Sequence, residues 1–174
     1  MKKKLVIGAL IAVLAVGMVM AFTACGANGS PESVVKASIE SDSKFDVDAI
    51  LDLIYFEDSK DRETYKKMLN DKLLHEVGEI SSNVKITKFE CTVTDVTDEE
   101  LETIKAAYEG IDVQAASNCE YTVSIKGTIK VSVGGVENEQ EVSVEDEKDT
   151  VTVYKVGGKW YMEIILAGEL DSGT

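Results

Sequence analysis

From Cys119 to Val133 the chain alternates. Cys119, Tyr121, Val123, Ile125, Ile129, Val131 and Val133 take odd positions, while Thr122, Ser124, Lys126, Thr128, Lys130 and Ser132 fill even ones. A period of two sends successive side chains to opposite faces, so this segment reads as a strand with one core side and one wet side. Gly134-Gly135 follows as a two-residue turn signal and pairs Val133 with Val136. Carried back, that register sets Val142 opposite Gly127 and Val144 opposite Ile125, so the apolar faces coincide. Gly157-Gly158 repeats the device, pairing Val156 with Lys159 and, by extension, Val153 with Met162 and Val151 with Ile164. The parity flips across Glu145–Asp149, which places a bulge there. An earlier strand carries Phe89, Cys91 and Val93, with Val84 and Ile86 on the other parity, so a second bulge is expected near Thr87-Lys88.

Ahead of the sheet the period is helical. Ser30-Pro31-Glu32 supplies an N-cap, a proline at the first helical position and an acid in the first turn. Val34, Val35, Ser38 and Ile39 then share a face. Asp46 caps a second helix with Ala49, Ile50, Leu53 and Ile54 as its buried stripe. A third opens at Ser59–Glu63 and carries Tyr65, Met68, Leu69, Leu73, Val77 and Ile80, with Gly78 loosening its last turn. Thr97-Asp98-Glu99-Glu100 is a capping box for a crossover helix with Leu101, Ile104 and Tyr108, ended by Gly110. The whole reads as one α+β domain over residues 31–167, with a polar tail at 168–174 expected to fray.

Residues 1–24 read as an address. Met1-Lys2-Lys3-Lys4 is a basic start, and Leu5–Phe22 carries no charge. Phe22-Thr23-Ala24-Cys25-Gly26 then resembles a bacterial lipobox, with Phe22 standing where leucine is usual. The resemblance implies cleavage before Cys25, a diacylglyceryl group on its thiol, and a protein anchored on the outer face of a bacterial membrane. Two acyl chains suffice for stable anchoring. Residues 25–30 are then a short lipidated tether.

Charge narrows the partners. The net charge of −14 falls to −17 once the three lysines of residues 1–24 are removed. Such a chain lacks the basic surface that phosphate neutralisation demands, which excludes nucleic acid as a partner. The one histidine, His75, stands four residues before Glu79, half of a metal site at most, and reads as a solvated surface residue. The acids at Glu137, Glu139, Glu141 and Glu145–Asp149 lack the Asp-x-Asp-x-Asp-Gly spacing of a calcium loop and read as solvated hairpin faces. Asp95, Asp98, Glu99 and Glu100 read as capping residues. Cys91 and Cys119 read as small buried hydrophobes kept apart by the strand register, with a disulfide as the alternative. No nucleophile elbow, phosphate loop, dinucleotide fingerprint or zinc-protease motif occurs, so an enzyme is unsupported and no metal or cofactor is implied.

Ser30-Pro31-Glu32-Ser33-Val34-Val35-Lys36 behind a lipobox, with Val156-Gly157-Gly158-Lys159-Trp160-Tyr161 near the end, resembles small bacterial lipoproteins with a nuclear transport factor 2-like (cystatin-like) fold. The resemblance implies N-terminal helices packed on a curved four-stranded antiparallel sheet, forming a cone. On that expectation Tyr65, Tyr121 and Trp160 either line a pocket or belong to the core. Tyr154, Tyr161 and Ile165 share the other sheet face, as a partner or homodimer surface unless the crossover helix covers them. The function expected is a membrane-anchored, non-catalytic domain binding a small ligand or an envelope protein. The alternatives are an envelope enzyme using the cone and a structural accessory of an envelope assembly, since fold alone does not decide.

Overall fold

The computed structural model describes residues 27–76, 79–133 and 136–169. Cys25 and the 1–24 segment, Val77, Gly78, the Gly134-Gly135 turn, and the side chains of Leu73, His75 and Glu79 lie outside the described residues.

A short 3-10 turn at Ala27–Gly29 leads into helix α1 (Pro31–Asp42). The Ser30 hydroxyl accepts the Ser33 amide, and the Ser33 hydroxyl takes that of Ser30, closing a capping box. Helix α2 (Val47–Leu51) is capped by Asp46, whose carboxylate accepts the Ala49 amide at 3.1 Å. It ends early, and Ile54–Phe56 forms strand β1 instead of a further helical turn. Helix α3 (Ser59–Glu76) follows. Ion pairs Arg62–Asp52 and Lys66–Asp48, both 2.6 Å, tie it to α2 at the surface.

Strand β2 (Glu79–Ser82) comes next, so Ile80 is a strand residue opposite Val131 and not the last member of a helical stripe. Strand β3 (Lys85–Asp95), helix α4 (Asp98–Ala107) and strands β4 (Val113–Val133) and β5 (Val136–Val156) follow. Two short strands, β6 (Lys159–Tyr161) and β7 (Glu163–Ile165), complete the described chain. The fold is α+β with a mostly antiparallel sheet. The main sheet has five strands, not four: β2 and β3 both pair with β4, β4 with β5, and β5 with β6. Val133 pairs with Val136, Ile125 with Val144 and Val156 with Lys159, as the turn signals require.

Both expected bulges occur, and they meet. The β3 shift at Thr87 and the β5 shift at Glu145-Asp146 lie opposite the same β4 residue, Ser124. The buried Ser124 hydroxyl accepts the Asp146 amide at 2.9 Å, and its carbonyl accepts the Thr87 hydroxyl at 3.1 Å. The Asp146 backbone is left-handed (φ 49) and its carboxylate pairs with Lys88 at 2.8 Å. That pairing holds the Asp146 carboxyl below its usual range and the Lys88 ammonium above its own. The knot divides the β4–β5 hairpin into a half that packs on helices and an outer arm.

The pairing of Val153 with Met162 and Val151 with Ile164 does not form. After Tyr161 the chain bends at Met162, whose amide donates to the Leu53 carbonyl at 2.9 Å. β7 is thereby drawn onto β1, where it runs parallel with Ile54 opposite Glu163 and Phe56 opposite Ile165. The bend resets the parity of the last strand.

Two cores result. One packs α1, α2 and α3 on one sheet face around Val34, Val35, Leu51, Leu53, Cys119 and Val153. The other gathers Ile111, Val113, Val156 and Ile164 beneath Leu101, Ile104 and Tyr108 of the α4 region. Leu166–Gly168 is tied down, and residues 170–174 of the tail lie outside the described residues. The amides of Leu166, Ala167 and Gly168 donate to the carboxylates of Glu169, Glu57 and Asp61 at 3.0–3.1 Å.

Candidate functional site

Tyr65, Tyr121 and Trp160 meet in the first core. Tyr65 and Trp160 are each 9% exposed, and Tyr121 is half-buried against the same cluster. Tyr65 packs edge-on to Phe56 with centroids 5.9 Å apart, and Tyr121 lies 6.3 Å from Phe89. Burial pushes the Tyr121 phenol up to about 12, with Asp149 and Glu147 adding to the shift. A phenol in that range is a poor acid or base near neutrality. These three rings pack as core side chains.

Tyr154, Tyr161 and Ile165 do not form one exposed face. Tyr154 stands opposite Tyr161 in the β5–β6 ladder. Tyr108 packs edge-on to Tyr154 and Tyr55 edge-on to Tyr161, both with centroids 5.6 Å apart. The face is therefore covered by the α4 region and by β1. Ile165, turned by the Met162 bend, is 4% exposed and belongs to the first core.

The cysteines correct another expectation. Cys91 pairs with Tyr121 and Val93 with Cys119, so the register makes Cys91 and Cys119 diagonal neighbours on one sheet face. Both are free thiols. Burial, then the neighbouring Cys91 sulfur, pushes the Cys119 thiol up to about 12, and burial raises Cys91 also. Neither carries much thiolate near neutral pH, so neither is an activated nucleophile. Asp95 does not cap a helix; its carboxylate accepts the hydroxyl of the fully buried Ser117 at 2.7 Å. Among the described residues no three His, Cys, Asp or Glu side chains converge to hold a metal ion.

Glu163 is a partly buried carboxylate that strand parity alone does not single out. Its Oε2 is buried and accepts no hydrogen bond. Its charge is felt by Tyr65 on α3 and Tyr108 after α4. Burial first, then the charge of Glu169, raises its carboxyl above the usual range. No signal marked it, because by strand parity it was one more wet residue between Met162 and Ile164. A carboxyl raised in the folded state adds stability below the unfolded-state pKa and loses it as pH rises through the folded one. Glu163→Gln is therefore expected to gain about 1 kcal/mol at pH 7. The gain should vanish below about pH 4, where the carboxyl is protonated in both states. Urea melts at both pH values check this, and an equal effect at both would contradict it.

Among the described residues the arm is one of the exposed features. Beyond Ser124 it carries Glu137, Glu139, Glu141 and Glu145, all exposed. Lys130–Glu139 and Lys126–Glu145 ion pairs, each 2.8 Å, cross its face. Among the described elements β6 covers only Tyr154–Val156 of β5, so the rest of that edge is unpaired. Charge along an open edge discourages strand addition from another chain. No family model matches the chain, and neither a curated protein nor a solved structure matches it.

Proposed function

We propose that this chain is an exported lipoprotein, cleaved before Cys25 and held by its lipid on the outer face of a bacterial membrane. Its domain is a non-catalytic binding module of nuclear transport factor 2-like type. The observation that carries the reading is the junction at Cys25. An uncharged run from Leu5 to Phe22 ends in Thr23-Ala24-Cys25-Gly26. Among the described residues both cores are built from side chains between Val34 and Leu166. Among the described residues no helix is long and apolar enough to cross a membrane. Three helices on one face of a mostly antiparallel sheet support the fold type. The packing of Tyr65, Tyr121 and Trp160 favours a protein over a small molecule as the bound partner, with the acidic arm as the surface offered.

Metabolic labelling with an alkyne fatty acid tests the anchor. The wild-type chain is expected to take up label, and Cys25→Ala to lose all of it and to run at precursor mass. Equal labelling of the two would overturn the reading.

A further inference from the structure

We infer that the domain sits on the membrane in one orientation, with the face around Asn28, Trp160 and Lys159 against the lipid and the acidic arm directed away. The inference rests on Cys25 as the lipid-bearing residue. The segment behind it is not a free tether. The Asn28 side-chain amide donates to the Trp160 carbonyl at 2.7 Å and to the Asp52 carbonyl at 3.3 Å, pinning the chain to β6 and to the end of α2. Only Gly26 and Ala27 separate Cys25 from Asn28. Three residue steps span about 10 Å at full extension. The acyl-bearing residue is thus leashed within about that distance of Asn28.

Trp160 pairs with Lys155, one residue from the Val156 end of β5. The other end, Val136, is the outer end of the arm, and β5 has 21 residues. At about 3.3 Å per residue that is a contour of about 70 Å, somewhat shortened by the bulge at Asp146. The anchor and the acidic end of the arm therefore lie toward opposite ends of β5.

Charge acts in the same sense. Near the leash Lys155 Nζ lies 5.8 Å from the centroid of the Trp160 ring, and Lys159 is exposed. Near the other end stand Glu137, Glu139 and Glu141. An anionic leaflet attracts the first group and repels the second within a Debye length. The surface assigned to the membrane carries Lys155 and Lys159 beside the exposed Asp52 carboxylate, which Arg62 pairs at 2.6 Å, and the surface left for a partner carries the glutamates of the arm.

Energy transfer from two labelled positions tests this on the full lipidated chain. Lys159→Cys and Glu137→Cys, both at exposed surface positions, are each coupled to a maleimide donor at pH 7. Cys91 and Cys119 react slowly there because their thiols are held protonated. The variants are reconstituted in phosphatidylethanolamine–phosphatidylglycerol vesicles carrying a rhodamine headgroup acceptor. The donor at 159 is expected to be quenched at least twofold more than the donor at 137. Asn28→Ala, which releases the leash, is expected to narrow that ratio. Equal or reversed quenching, or a ratio unmoved by Asn28→Ala, overturns the orientation. Intact mass of the same preparation separates the two levels: an acylated Cys25 with equal quenching defeats the orientation alone, whereas an unacylated chain defeats the anchor as well.

Discussion

Gly127→Val is expected to prevent the sheet from closing. A Cβ at residue 127 would stand 2.5 Å from the Val84 Cα, 2.8 Å from the Val84 nitrogen and 2.9 Å from the Asn83 carbonyl oxygen. All three are backbone atoms, so no rotamer change relieves the clash. The junction between β2 and β3 crosses β4 at this point and is held there. The Asn83 side chain accepts the Thr128 amide at 2.7 Å and the Thr128 hydroxyl at 2.8 Å, and the Asn83 amide donates to the Thr128 carbonyl at 3.0 Å. Separating the strands to admit a methyl would break those bonds. Even Gly127→Ala should cost about 3 kcal/mol or more, at the upper end of overpacking effects. That lowers the urea midpoint by about 1–3 M, and valine should leave no cooperative transition. An alanine variant with a wild-type midpoint would contradict the close approach.

The second large effect is Tyr154→Ser with Tyr161→Ser. As residues of a docking face, these tyrosines would be replaceable without harm to the fold. As members of the second core they are not. The double change removes both edge-to-face contacts, with Tyr108 and with Tyr55. It also strips the apolar cover from Val156 and Ile164. Truncating each half-buried ring should cost about 2–3 kcal/mol, and the pair about 5 kcal/mol. That is comparable with the whole stability of a small domain. Far-UV circular dichroism and thermal melting check it. A folded double variant with an unshifted melt and altered self-association would restore the docking face.

These two cases also show which parts of the fold could be read from residues. The strand registers were legible because two glycine pairs set turns and the apolar rows on either side then had to coincide. The capping boxes at Ser30 and Thr97 and the two bulges were legible because each is a local rule with local residues. What escaped is long-range. Ile54 falls at helical spacing from Ile50, yet the Leu53 carbonyl takes the Met162 amide and the residues after it form β1. Together with that contact between residues 53 and 162, β7 pairs in another sheet, Ile165 is buried and the Glu163 Oε2 has no hydrogen-bond partner. The large residues on the second face were visible, and cover by the crossover helix was one reading of them. The choice between that cover and a partner depends on where α4 packs. The Cys91–Cys119 adjacency needed the register of β3 on β4, which no turn residue specifies because a helix joins them. Gly127 stood in the sequence as a gap in the apolar row, and its reason lies in a strand junction more than forty residues earlier.

The measurement that bears most directly on the account is the intact mass of the protein extracted from the membrane fraction of its own host. The predicted species begins at Cys25, lacks residues 1–24 and carries the added mass of a diacylglyceryl group, which tandem fragmentation places on residue 25. A chain that retains residues 1–24, or one that begins elsewhere without lipid, would contradict the anchor and the orientation built upon it.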